Sequence, residues 1–211
     1  MPPCINLYRL LIPLLGLVAI AAQGYETIVV KQGSAVNFFS YFTIHSNLLA
    51  IVVLLWGALS SGSSSSARDI LRGAATLYLA ITGVVYSVLL AEEEARLQLI
   101  IPWVDVVLHR LVPLVMIIDW LLDPPLAPPS LRQGMVWITY PVVFIVYTMI
   151  RGPLVQWYPY PFLDPARVGG AAGVFVYCVG IMVAATLFAW VVVALARWQR
   201  RDRPVAGDSV A

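Results

Sequence analysis

Six stretches of this chain run almost without a polar interruption, and each is about as long as a bilayer's hydrocarbon core is thick. They cover residues 5–22, 35–59, 70–91, 100–122, 134–150 and 169–195. A helix rising ~1.5 Å per residue needs about 20 apolar residues to cross. The punctuation between them is abrupt. Ser60-Ser61-Gly62 and four further serines follow the second stretch, and Glu92-Glu93-Glu94 follows the third. Asp123-Pro124-Pro125 and Pro128-Pro129, which cannot continue a helix, follow the fourth. Trp157-Tyr158-Pro159-Tyr160-Pro161 precedes the sixth, with aromatic residues suited to the headgroup zone. The pattern predicts an all-α polytopic membrane protein: a six-transmembrane-helix bundle over residues 1–198 and a polar tail over 199–211. Ala19-Ile20-Ala21 leaves a cleaved signal peptide as the alternative for the first stretch. Arg9 lies late for such a leader, and the apolar run is long.

Composition agrees with the pattern. Of 211 residues, 61% are hydrophobic and 11% charged, and the mean hydropathy is +0.86. A water-solvated domain carries about a quarter charged residues, so most of this surface is expected to face lipid. The net charge of +2, with no basic stripe, points to no nucleic-acid partner. Cys4 and Cys178 form neither a metal spacing nor a disulfide framework, and two histidines without a clustered third ligand call for no metal. Arg197, Arg200, Arg201 and Arg203 place the C-terminal tail in the cytoplasm by the positive-inside rule. Six crossings return the N-terminus to the same side, together with Arg9, Arg68, Arg72 and Arg132. Lys31, Arg96, Arg151 and Arg167 then face outward.

Ionisable groups inside a span cost several kcal/mol unless paired, so they mark candidate sites. The fourth stretch holds Asp105, His109, Arg110 and Asp119. Asp105 and His109 are four apart and share a helix face, so the carboxylate is placed to bind one imidazole nitrogen and leave the other as a base. The competing reading is a polar pair that fixes helix packing. Arg110 points elsewhere, toward a ligand headgroup or a backbone carbonyl, and Asp119 lies near water at the cytoplasmic end. In the second stretch, Ser40, Thr43 and Asn47 form one helical stripe with His45 on another face. Thr43 and His109 lie at similar depth in the outer half, with Tyr86, Ser87, Tyr147 and Thr148 nearby, while the inner half reads as almost wholly apolar.

Several ordered stations carry a family resemblance: Phe39-Ser40-Tyr41-Phe42-Thr43, Leu108-His109 with Val112-Pro113 and Asp119, Pro129-Ser130 with Gly134, and Tyr160-Pro161-Phe162-Leu163-Asp164. In these the chain resembles the androgen-induced and androgen-dependent membrane proteins, eukaryotic multi-span hydrolases with an intramembrane threonine and histidine. Phe42 to Leu49 looks typical of their bacterial relatives, the proline-rich six-transmembrane integral membrane family. The resemblance implies six helices, a multi-pass place in a bacterial cell membrane, and hydrolysis of fatty acid esters of hydroxy fatty acids. It makes Thr43 the nucleophile and His109 the general base. Arg110 and Leu111 stand where the eukaryotic proteins have two threonines, and Pro113 is one residue closer to the histidine.

On that basis His109, held by Asp105, takes the Thr43 proton and returns it to the leaving alkoxide, with no cofactor. Ser40, Asn47 and Ser87 are the candidate oxyanion donors, because helical amides are expected to be occupied, and Arg110 is the candidate partner of a substrate carboxylate. Two other classes compete: a non-catalytic carrier of lipids or small amphiphiles, and a haem protein using His45 and His109 as axial ligands.

Overall fold

The computed structural model describes residues 3–60, 65–93 and 100–201. The serine linker at 61–64, Glu94 and Arg96, the tail beyond 201 and the side chain of Cys4 lie outside the described residues.

The described residues are helical, with no strand among them. Helix α1 (Pro3–Gly24) widens into a π turn at Tyr25–Val30, and the short α2 (Ala35–Phe38) precedes α3 (Phe42–Leu59). Helix α4 (Ser66–Val85) ends in a second π turn, Tyr86–Leu90. Helix α5 (Pro102–Val106) passes through a third, Val107–Leu111, into α6 (Val112–Leu122). Helices α7 (Leu131–Trp137) and α8 (Thr139–Val155) follow, then a 3₁₀ turn at Pro161–Leu163 and the long α9 (Ala171–Arg201). Among the described residues, five stretches are long and apolar enough to cross a membrane: Ile5–Val30, Phe42–Leu59, Ser66–Glu93, Leu131–Val155 and Ala171–Arg200. The α5–α6 column is helical throughout as well, but it carries Asp105, Arg110 and Asp119 along its length.

Helix α4 is the axis of the bundle and the reason there are two cores. Its Ala75 and Leu79 join Ala19, Ile51, Leu54, Val112 and Met116 in a core with α1, α3 and α6. Its Leu77, Tyr78 and Ile81 face Trp137, Phe144, Ala185 and Val193 on α7, α8 and α9. Close approach is built into the sequence at Gly73, where a Cβ would overlap the Trp137 indole. Small residues are what let membrane helices meet at short range. The outer helices turn apolar residues outward. Leu7, Leu11, Leu14 and Val18 of α1 and Phe175, Val179, Val183 and Leu187 of α9 are all exposed. Rows at helical spacing on the outside of a bundle are the mark of a lipid-facing surface.

Three expectations are corrected. The second stretch is not one helix, since it breaks at residues 39–41. Neither glycine nor proline makes the break; side chains hold it. Ser34 accepts the Asn37 amide to cap α2, and the His45 Nε2–H donates to the Phe39 carbonyl at 2.6 Å. Tyr41 then leaves in an extended conformation (φ −81°, ψ 131°) and α3 starts afresh. Ser40 and Thr43 therefore share no helical stripe.

The inner half is not apolar, and Asp119 does not reach water: it is wholly buried. Arg9 donates to Asp119 and, at 2.8 Å, to Asp123. Arg72 donates to Asp119 and Asp123, both at 3.1 Å, and its guanidinium lies 5.2 Å above the Trp120 ring. Arg68 pairs with Asp69 and Asp123. Each basic residue matches an acid on a neighbouring helix, so the charges close on one another. Through Arg9 this network ties α1 to α6 at a buried carboxylate.

Candidate active site

The break before α3 sets the chemistry of the opposite end. Thr43 is the second residue of α3, in the first turn, where backbone N–H groups have no partner four residues back. Its amide donates instead to the Tyr160 hydroxyl at 3.2 Å. Its Oγ1 lies 3.3 Å from His109 Nε2 and 3.4 Å from the Tyr160 oxygen. His109 Nδ1 lies 2.8 Å from Asp105 Oδ1. A carboxylate only accepts, so Nδ1 carries the imidazole proton and Nε2 turns its lone pair to the Thr43 hydroxyl. Thr43, His109 and Tyr160 are each less than a tenth exposed.

Packing fixes the imidazole. Tyr86 stacks on it with ring centroids 4.0 Å apart and planes 12° from parallel, and its hydroxyl hydrogen-bonds Asp105. Both residues sit in π turns, which are concentrated at functional positions in helices. Pro113, lacking an N–H, cannot complete the usual bond to the His109 carbonyl four residues back, and the helix is wide there. Gly83 lets α4 approach that same carbonyl, which a Cβ would meet at 3.4 Å. From below, the Asn47 amide donates to the carbonyls of Thr43 (2.8 Å) and Leu108 (3.2 Å), tying the threonine turn to the histidine turn. Tyr160 arrives on the loop after α8, stacked on Phe162.

Two cavities meet at Thr43 and Tyr160. One, about 50 Å³, is lined by Ile81, Val85, Phe144, Ile145 and Ile181. The other, about 210 Å³, is lined by Gln23, Thr27, Lys31, Phe38, Ile44 and His109. His109 faces only the second.

Of the residues expected from sequence, Thr43, His109 and Asp105 are thus brought into one hydrogen-bonded line. Others are not. The Ser40 hydroxyl donates to Val36 O within its own turn, and Ser87 donates to Gly83 O on the exposed face of α4. Asn47 orients backbone and presents no donor to the cavities. Arg110 is 63% exposed, 3.9 Å from Asp105 on the outer side, and lines neither cavity; the cation that does is Lys31. The Thr43 amide is occupied by a side chain, the Tyr160 hydroxyl, rather than by backbone, because the break makes it a first-turn residue. His45 is engaged on both nitrogens, by Phe39 O and by the Tyr140 hydroxyl at 2.7 Å, and His109 by Asp105 and Thr43. Neither ring offers a free nitrogen to a haem iron. Sequence reasoning missed Tyr160 and Tyr86 as site residues; the Tyr-Pro-Phe-Leu-Asp run was the available signal for the first.

No family model, curated protein or solved structure matches the chain.

Proposed function

We propose that this protein is an intramembrane lipid-ester hydrolase in which Thr43 is the nucleophile, His109 its base and acid, and Asp105 the group that orients the histidine. The observation that carries the reading is the continuous line Thr43–His109–Asp105, with the Tyr160 hydroxyl held beside it by the Thr43 amide. A threonine hydroxyl is a weak nucleophile until a base takes its proton. As Oγ1 bonds to the ester carbonyl carbon, its proton moves to His109 Nε2. The charge that develops on the carbonyl oxygen is met by the Tyr160 O–H and, once the substrate oxygen takes the place of the Tyr160 oxygen on it, by the Thr43 N–H. Collapse breaks the bond to the alcohol oxygen, which takes the proton from His109 and leaves an acyl-threonine. Water then gives its proton to His109 and attacks the acyl carbon. The acid departs and Thr43 recovers its proton.

The substrate class is amphiphilic carboxylic esters, to which fatty acid esters of hydroxy fatty acids belong, with Lys31 rather than Arg110 available to an anionic group. The ordered motifs resemble the proline-rich six-transmembrane proteins, and we place the chain with them: six spans in a bacterial plasma membrane, both termini cytoplasmic and the site in the outer half. A carrier of amphiphiles could use the same two cavities, but it has no need of a base aimed at a hydroxyl.

Groups that act on one step lose activity non-additively. T43A and H109A are each expected to abolish most ester hydrolysis by the purified protein, and the double variant to be scarcely worse than either. T43V keeps the shape and loses the nucleophile. A fluorophosphonate probe should label Thr43 in the wild type and fail on H109A. A folded T43V protein that hydrolyses its ester at the wild-type rate rules the mechanism out.

A further inference from the structure

The cavity of about 50 Å³ beside Thr43 is only half enclosed. Ile81 and Phe144 on its core side are buried, but Ile145 on α8 and Ile181 on α9 are part-exposed. Those two helices hardly touch, and a groove of about 510 Å³ runs along the outside of the gap between them. Ile145 lines both spaces, and Ile181 sits between the groove residues Cys178 and Met182. The space beside the nucleophile therefore gives, past Ile145 and Ile181, onto the lipid-facing surface. We propose, resting on the hydrolase reading, that the substrate's acyl chain passes between Ile145 and Ile181 and lies in the groove between α8 and α9, so that the enzyme takes long-chain lipid esters sideways from the membrane.

The chemistry of the leaving group decides which arm of the ester lies there. His109 must protonate the oxygen of the departing alcohol, so the alcohol sits in the cavity of about 210 Å³ that His109 lines. The acyl arm, on the other side of the carbonyl carbon, points into the cavity that Thr43 and Tyr160 line and His109 does not. The groove beyond it has the character of a chain site. Val142, Val146, Val179, Val183 and Leu187 line it, and its one hydroxyl, that of Thr186, is spent on the Met182 carbonyl at 2.8 Å. A polar headgroup would find no partner there, whereas a hydrocarbon chain gives up none. From Phe175 to Leu187 the groove follows α9 for about 18 Å. One leaflet's share of a ~30 Å hydrocarbon core is about 15 Å, the reach of a membrane-lipid chain. The open side sets no upper limit on chain length.

A chain anchored at the nucleophile reports where it lies. A hexadecyl fluorophosphonate with a diazirine at the chain end is reacted with the full chain in nanodiscs, where Thr43 displaces fluoride, and is then photolysed and mapped by mass spectrometry. Crosslinks should fall on α8 and α9, among Val146, Cys178, Val183 and Leu187. Crosslinks to Phe38 or Ile44 instead, on the alcohol side, overturn the groove. A second arm uses 4-methylumbelliferyl esters from acetate to palmitate. Wild-type kcat/KM should rise with chain length and stay high at palmitate. Ile181→Trp and Met182→Trp, which narrow the passage and the groove, should lower palmitate relative to butyrate hydrolysis roughly 10-fold or more. Val143→Trp, on the exposed face of α8 outside the groove, should leave that ratio unchanged. A loss in both I181W and M182W that is equal at every chain length, or a wild-type optimum at butyrate, overturns the acyl groove and leaves the threonine mechanism intact. Wild type that neither reacts with the probe nor cleaves any ester, or T43V that cleaves them at the wild-type rate, overturns the hydrolase reading and this inference with it.

Discussion

At the scale of single residues, the site depends on which atoms are left without their usual partners. The Thr43 N–H is available because it lies in a first turn, and the Tyr160 hydroxyl is the group that receives it. In the proposed mechanism, replacing Tyr160 by phenylalanine removes one of two donors to the developing oxyanion without emptying the space. Loss of a single such donor costs about 10²–10³-fold in kcat. Y160F should show that loss in kcat with a smaller change in KM, while Thr43 labelling by a fluorophosphonate survives at a reduced rate. A purely packing role predicts a lower melting temperature and normal turnover per folded molecule. The Asp105–His109 pair was legible from its four-residue spacing, since an α-helix places such residues on one face. Arg110, expected to turn toward a headgroup or a backbone carbonyl, is exposed for a related reason. A helical wheel gives a direction relative to neighbours, but only the packed bundle decides which direction is inside. Tyr160 was hidden because a loop residue's destination is set by the turn after α8, not by any periodicity.

At the scale of elements, the two interruptions that matter most are invisible to a hydropathy pattern. The break between α2 and α3 contains no proline or glycine and runs through Phe39, Ser40 and Tyr41, which by composition belong inside a span. It persists because His45, from later in the chain, satisfies the Phe39 carbonyl it frees, while Arg151 holds the Asn37 side chain. A carbonyl left unpaired in such a setting costs about 1–3 kcal/mol. H45A should therefore lower stability by that amount in thermal unfolding. It should also cut turnover, because a break that heals into continuous helix gives the Thr43 amide an ordinary backbone partner. H45Q, which still offers an N–H, should recover part of both. The widened turns around His109 and Tyr86 are better signposted, the first by Pro113. What the pattern did convey securely is that long apolar helices form the molecule, because chain length and hydrocarbon thickness alone require it.

At the scale of the whole molecule, the bundle has two polar ends of opposite kind: a site with directed donors and an unspent base, and a network in which charges cancel. Asp119 sits ten residues beyond His109 along one helical column, ~15 Å away. D119N keeps the side chain's shape but leaves Arg9 and Arg72 one carboxylate short. Breaking a buried ion pair on one side costs about 3–5 kcal/mol, so D119N should unfold far more readily in detergent. Its activity per folded molecule should stay near wild type because the site lies at the other end, and a D119N protein as stable as wild type would show the network to be ornamental. Sequence reading treated these arginines as signals of orientation, which needs no knowledge of partners, and nothing local joins Arg9 to an acid 110 residues later. That separation has a consequence for how the protein is made. Synthesis at ~5–20 residues per second puts on the order of 6–20 s between the two groups leaving the ribosome. For that interval the first helix holds a cation without its carboxylate, and Arg68 and Arg72 share Asp69 alone until Asp119 and Asp123 are made. The end of the bundle that holds these arginines can take its final form only when α6 brings Asp119. The knot of charge is therefore a clasp that closes late, and it makes the finished bundle a single unit rather than a row of helices inserted one by one.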